Sequence, residues 1–411
     1  MPDHRCGPRR RARLGQHRGR SGRLSCRARD FMKAPSPAAT DAPERPAPDE
    51  VAETLHPSAN PSLTGHARAE RFLAATLAGG SLHHAWLFAG PPGIGKATLA
   101  YRFARRLLSD THDAGFFGAQ SEDLFVDPDT AVFAQVASGS HPNLLRLRRQ
   151  WDFKTKKYRS GILVDDVRQL TGFLGQRANR RGRRVVIVDA ADDLTGQAEN
   201  ALLKPLEEPP ADTIFLLISH QPGALLPTIR SRCRRLDLRS LSPDDAQAVV
   251  QRQSPELDAE QASVLLSLSE QSPGAALRLH QADGIVLYRE MISLFTKAPA
   301  IPREAAQKLA ASMERGADAE RRFALFCALF EGLLRRLIAT SVVPENAVLP
   351  PDPGEGRLAE RLAGRGLDQW FDLCDNLQRL RERTETVNLN RKAVTLTLVS
   401  AFEDAARKAA A

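Results

Sequence analysis

Cysteine is scarce in these 411 residues: there are five, at positions 6, 26, 233, 327 and 374, and no two form a Cys-x-x-Cys pair. That spacing excludes a disulfide framework and a paired-thiolate metal site, and it predicts a reducing, cytoplasmic setting. Long apolar runs are missing too. No stretch reaches the roughly 20 residues needed to cross a bilayer as a helix. Positive charge is missing from most of the chain despite a formal net charge of +9. Residues 1–31 hold ten arginines against Asp3 and Asp30, a net of +8, which leaves +1 for the other 380 residues. A uniformly basic DNA-binding surface is therefore excluded. The Arg-rich start reads either as a DNA-binding arm or as an unfolded extension, with Met32 as an alternative beginning. The second reading is favoured, because the segment has no apolar periodicity to fold with. It also lacks the apolar core of a secretory signal.

What is present is ordinary for a globular chain, 42% hydrophobic and 26% charged, and long enough for two or three domains. Residues 33–60, rich in Pro, Ala, Asp and Glu, read as a linker, so that 1–60 forms an N-terminal extension and order begins near Pro61. From there apolar runs alternate with amphipathic stretches. Strands are expected at 85–89 (AWLFA), 143–147, 184–188 (RVVIV), 213–219 (TIFLLIS) and 234–238, and helices at 96–108 and 164–174. This alternation predicts a parallel sheet wrapped by helices over 61–240. Short capped helices follow over 241–284, the first announced by Ser242-Pro243-Asp244. Residues 285–411 read as all-helical, with a Pro/Gly-rich break at 343–356. In that last region Phe323, Phe326, Phe330, Leu333, Leu334 and Leu337 recur at helical spacing, a core stripe or a contact with a neighbouring subunit.

One stretch carries chemistry on its face. Gly90-Pro91-Pro92-Gly93-Ile94-Gly95-Lys96 fits G-x-x-x-x-G-K, directly after an expected strand and before an expected helix. Glycines let backbone wrap a phosphate with its N–H groups pointing inward, and Lys96 would reach the terminal phosphates as a point charge. The pocket is short of parts. The residue after the lysine, where a hydroxyl would hold Mg²⁺, is Ala97. Thr98 is one helical step, ~100°, away and is expected to point elsewhere. Asp189, at the end of the 184–188 strand, could hold Mg²⁺ through water. The next residue, Ala190, cannot orient an attacking water, and Asp192 and Asp193 lie too far along to replace it. ATP or ADP binding is compatible with this set; efficient hydrolysis is not.

The run Asn200-Ala201-Leu202-Leu203-Lys204-Pro205-Leu206-Glu207-Glu208-Pro209-Pro210, then TIFLLIS, then Ser231-Arg232-Cys233, resembles bacterial clamp-loader subunits of the AAA+ family. Leu82-His83-His84-Ala85 and 162–168 (ILVDDVR) match as well. Pro205 in the variable slot would cost about 3 kcal/mol in a helix interior unless the helix ends or kinks there. The resemblance spans about 61–280 and implies an α/β nucleotide-binding domain, a helical lid and a helical collar. It implies that Arg232 is a finger supplied in trans to the ATP site of the adjoining subunit, where a planar guanidinium would neutralise transition-state charge.

Ser272-Pro273-Gly274-Ala275-Ala276-Leu277 is similar to the lid segment in which hydrolysing relatives carry a sensing arginine. Gly274 takes that position here, and Arg278 is nearby but expected on another helical face. With Ala97 and Ala190 this is a third loss, which brings the chain closer to the delta-prime branch than to the gamma/tau motors. Asn388-Leu389-Asn390 is also similar to delta-prime tails. The interval 110–142, where relatives carry a four-cysteine zinc module, has no cysteine, so a structural zinc is excluded on ligand count. His141 reads as an ordinary loop histidine.

The function the resemblance implies is that of a DNA polymerase III clamp-loader subunit without ATPase activity of its own. Its partners would be gamma/tau and delta subunits in a ring, and through them the sliding clamp and primer–template DNA. The alternative is an ATP-hydrolysing gamma/tau-type motor.

Overall fold

The computed structural model describes residues 54–80, 82–109, 123–155, 157–175, 182–314, 318–342, 351–362, 366–387 and 389–410. Its first half is built on five parallel strands: β1 (Ala85–Ala89), β2 (Leu144–Leu147), β5 (Arg184–Asp189), β6 (Thr213–Ser219) and β7 (Arg234–Asp237), in the order β2-β5-β6-β1-β7. A two-stranded antiparallel hairpin, β3 (Trp151–Asp152) and β4 (Lys157–Tyr158), follows β2.

The central strands are apolar on both faces, as parallel strands covered on both sides must be. Trp86, Phe88, Val185, Ile187, Leu216 and Ile218 face one core. The alternate residues Leu87, Val186, Val188, Phe215 and Leu217 face the other. This period of two follows from the pleat. Helices α1 (Ala67–Ala78) and α2 (Lys96–Ser109) close the first face, and α4 (Val164–Gly175), α5 (Gly196–Glu207) and α6 (Pro227–Arg232) the second. A short α3 (Ala131–Ser138) lies against α2.

The first core continues into α7 (Pro243–Gln253), α8 (Ala259–Leu268) and α9 (Pro273–Gln281) through Ala246, Val250, Leu265 and Leu277. The rest is helical: α10 (Gly284–Phe295), α11 (Arg303–Ser312), α12 (Ala319–Val342), α13 (Pro353–Leu362), α14 (Leu367–Val387) and α15 (Arg391–Ala410). The Phe323–Leu337 stripe is buried inside this helical core, not spread over a surface. Phe330 meets Phe295 and Phe402, with ring centroids 5.1 and 5.9 Å away. Asn390 caps α15 by accepting from the Ala393 N–H and donates to Glu314.

The fold class expected from the sequence is the one observed. Three local expectations need correction. Order does not wait for Pro61: Ser58 is 1% exposed. The buried Arg105 of α2 donates to Ser58 O at 3.0 Å and Asn60 O at 2.8 Å, so backbone carbonyls of the linker satisfy a guanidinium that burial would otherwise strand. The break expected at 343–356 closes earlier, because Pro353 opens α13 and fits a first helical turn. Pro205 neither ends nor visibly breaks α5. It sits in the last turn, two residues before the helix stops at Glu207, where few hydrogen bonds remain to lose. Residues 1–53, 110–122 and Asn388 lie outside the described residues, and with them the Arg-rich segment and much of the interval discussed for zinc.

Candidate nucleotide site

At the carboxyl end of β1 the chain turns sharply into α2, and this turn is Gly90–Gly95. Gly90, Gly93 and Gly95 have φ of +150°, +79° and +102°, values that side chains resist. A Cβ at Gly90 would meet Leu238 O at 2.3 Å. Pro92, Gly93, Ile94 and Gly95 border a cavity of about 410 Å³, within the range of ligand pockets, while Gly90 and Pro91 are not on its lining. Leu55, Leu63, Leu241 and Val249 supply an apolar end; Lys96, Asp189, Asp193 and His220 supply a polar one.

Lys96 is 3% exposed. Its Nζ donates to Gly90 O at 2.6 Å and Pro91 O at 2.5 Å, so the ammonium is folded onto the carbonyls of its own loop. Burial pushes its pKa down to about 8, against the upward pull of Asp189 and Asp192. Asp192 is spent on the backbone. It accepts from Ser219 Oγ at 2.6 Å, from the Gln221 N–H at 3.2 Å, and from the His220 N–H, fixing the chain as it leaves β6. Asp193 pairs with Arg149, which also borders the cavity. Ala190 lies on the wall where a water-orienting acid would be needed, and Ala97 and Thr98 both border the cavity. Thr98, one helical step from Ala97, is itself buried.

The start of α9 closes on the loop. Ser272 Oγ donates to Pro92 O at 2.6 Å, and the Gly274 N–H donates to Gly93 O at 2.9 Å. The two glycines face each other with no room between them: a Cβ on Gly93 would stand 2.6 Å from Ala275 N, and one on Gly274 2.9 Å from Gly93 Cα. One turn further along α9, Arg278 borders the same cavity as Gly274 and acts electrostatically on both Lys96 and His220. The expectation of another face is overturned, since residues four apart on a helix share one.

Arg232 lies elsewhere. It ends α6, where its Nη1 donates to Thr228 O at 2.9 Å and its Nη2 pairs with Glu207 at 2.6 Å. It is not among the residues bordering the cavity. The following Cys233 is buried, its thiol pushed up to about 12 by desolvation. Among the described residues no group of three or more His, Cys, Asp or Glu could hold a metal ion, and no helix is long and apolar enough to cross a membrane.

A family model described as "DNA polymerase III, delta subunit" matches residues 65–242. The DNA polymerase III subunit delta' of Pseudomonas aeruginosa is 40% identical over 197 residues, 48% of this chain and 56% of that one. Its counterpart in Escherichia coli K12 is 37% identical over 213 residues, 51% and 58%. Over these residues the chain is similar to delta-prime subunits. A gamma/tau subunit of Mycobacterium tuberculosis is also similar, at 32% over 196 residues, 48% of this chain and 31% of that one. Among solved structures, a gamma-subunit-related protein from Thermotoga maritima overlays at a TM-score of 0.39 with 18% identity, covering 82% of this chain and 100% of that one. The chain spans little more than half the length of the delta-prime relatives it matches.

Two residues on the cavity wall are not where the sequence alone would put them. His220 has no motif to announce it. It follows β6 and faces Lys96 across the cavity, and burial followed by the Lys96 charge brings its pKa down to about 4, so the ring is neutral near pH 7. Its Nδ1 makes no hydrogen bond among the described residues. Arg278 was seen but misplaced, and only its spacing of four from Gly274 could have found it.

Proposed function

We propose that this chain is a delta-prime-type subunit of a bacterial DNA polymerase III clamp loader, acting in the assembly of the sliding clamp on primed DNA and hydrolysing little ATP itself. The domains would be a phosphate-loop domain over 61–240, a lid over 241–284 and a collar over 285–411, with gamma/tau and delta subunits as ring neighbours in the cytoplasm. The observation that carries the reading is the separation of two cations. Lys96 is buried in a cavity that has Ala97, Ala190 and Gly274 where magnesium, water and phosphate would need ligands. Arg232 stands away from that cavity, part-exposed and braced by Glu207.

Arg232 then serves a neighbour. Phosphoryl transfer spreads negative charge over the γ-phosphate oxygens, and a guanidinium arriving from an adjoining surface would pair with two of them at once. Glu207 aims it. In this subunit's own pocket ATP or ADP could be held statically. The Gly90–Gly95 backbone, Lys96 and Arg278 would neutralise the phosphates, and the Leu55–Val249 end would take the base. Without an acid at 190 no group activates a water.

The test is ATP turnover of this subunit alone beside that of the assembled complex. Negligible turnover alone, with Arg232→Ala slowing the complex but leaving it assembled, is the expected result. Turnover by the isolated chain that Lys96→Ala abolishes would overturn it in favour of a gamma/tau-type motor.

A further inference from the structure

The β3–β4 hairpin plays no part in the nucleotide pocket beyond its root, yet its composition is unlike any other described surface segment. Residues 148–159 read Arg-Arg-Gln-Trp-Asp-Phe-Lys-Thr-Lys-Lys-Tyr-Arg, with six cations and three aromatics against the single acid Asp152. That acid is turned inward on the turn. Its Oδ1 accepts from the Lys154 N–H at 2.8 Å and the Thr155 N–H at 3.4 Å. Trp151 and Tyr158 pair across the two strands with ring centroids 5.0 Å apart, edge to face, which props the ribbon open without a core beneath it. Beyond that pair Phe153 stands at the tip, 67% exposed, beside the exposed Lys154 and Lys157.

A single exposed phenylalanine is ordinary. A phenylalanine held at the tip of a braced ribbon, among lysines and with the nearby carboxylate occupied, is a different object. It offers a flat apolar ring for stacking and cations at its side for a phosphate backbone, the two features that unpaired nucleic acid strands require together. An acidic protein surface would use the lysines and leave the ring idle. The ribbon leaves the carboxyl end of β2, and at its root Arg149 pairs with Asp193 on the cavity wall, so an occupant of the hairpin would sit one ion pair from the nucleotide.

We propose that the Trp151–Tyr158 hairpin is a contact for unpaired DNA, with Phe153 stacking on a base and Lys154 and Lys157 neutralising the adjoining phosphates. This site belongs to the chain itself and stands whether or not the clamp-loader reading does.

Tryptophan emission reads it out directly. Of the three tryptophans, Trp86 and Trp370 are 0% exposed and only Trp151 is partly open. In the full chain, oligo(dT) is expected to quench emission, while duplex DNA of equal charge and polyphosphate are not. Phe153→Ala should weaken oligo(dT) binding about tenfold, the loss of one stacked base. Replacing Lys154 and Lys157 together by alanine should lower the slope of log affinity against log salt by about 1.4, roughly 0.7 for each phosphate released. All three positions are exposed, so thermal melting should not move. Binding that shifts anisotropy without quenching, as the Arg-rich residues 1–31 alone would give, overturns the proposal. So does an affinity indifferent to Phe153→Ala, or equal quenching by polyphosphate.

Discussion

Lys96 and Arg232 are held in opposite ways. The lysine is sealed in a cavity and satisfied by two carbonyls of its own loop. The arginine is part-exposed at a helix end and tethered by a carboxylate, Glu207, that is itself nearly half exposed. A buried ammonium is costly to free and responds to whatever enters its pocket; a part-exposed guanidinium in a surface ion pair costs little to release from it. Within one domain, two cations are thus held in different places and by different means: one inside a cavity, one at its outer surface.

The largest effect expected from breaking that division is at Arg232. In the reconstituted complex Arg232→Ala should slow the adjoining ATP site by about 10³-fold, the lower range for a lost arginine finger, and lower total turnover by that site's share, with an unchanged elution profile in size-exclusion chromatography. Next is Lys96→Ala, which should weaken nucleotide binding to the isolated chain by roughly 10- to 100-fold in calorimetry, the value of a charged hydrogen bond, with little change in the turnover of the complex. Arg278→Ala should act in the same direction and more weakly, since Lys96 belongs to the loop and Arg278 only borders the same cavity.

The pH dependence sharpens the same contrast. Lys96 must be charged to hold phosphate, and in the free protein it loses its proton near pH 8. Bound phosphates stabilise the ammonium and raise that value. Affinity should therefore be constant below pH 8 and fall about tenfold per unit above it, until the bound-state value is reached. Calorimetry at pH 7, 8 and 9 would show it, and Lys96→Ala should flatten the curve. The smallest effect is at Glu207: Glu207→Gln should cost under about 1 kcal/mol in a thermal melt, as exposed pairs do, and slow the complex far less than loss of Arg232.

Much of this was legible in the sequence, for a physical reason. Strands buried on both faces read as continuous apolar runs, and AWLFA and TIFLLIS were placed to the residue because nothing but a covered parallel strand needs them. The phosphate loop was legible because its glycines are demanded locally, by φ values no side chain would accept. What stayed hidden depends on distant parts meeting. Ser58 is buried only because Arg105, 47 positions away, takes its carbonyl. His220 faces Lys96 only because β6 lies beside β1. Arg278 enters the cavity only because α9 docks on the loop. The aromatic stripe of α12 could have been core or contact surface, and only the arrival of Trp370 and Phe402 from later helices settles it as core.

The meeting of Gly93 and Gly274 has a consequence for how this sequence can change. An arginine at 274 would have to place its first carbon where the loop's backbone already lies, 2.9 Å away. Such a substitution would therefore push α9 away from the loop. The seam between residues 93 and 274 accepts only glycine on both sides, and any side chain added there must first part α9 from the loop.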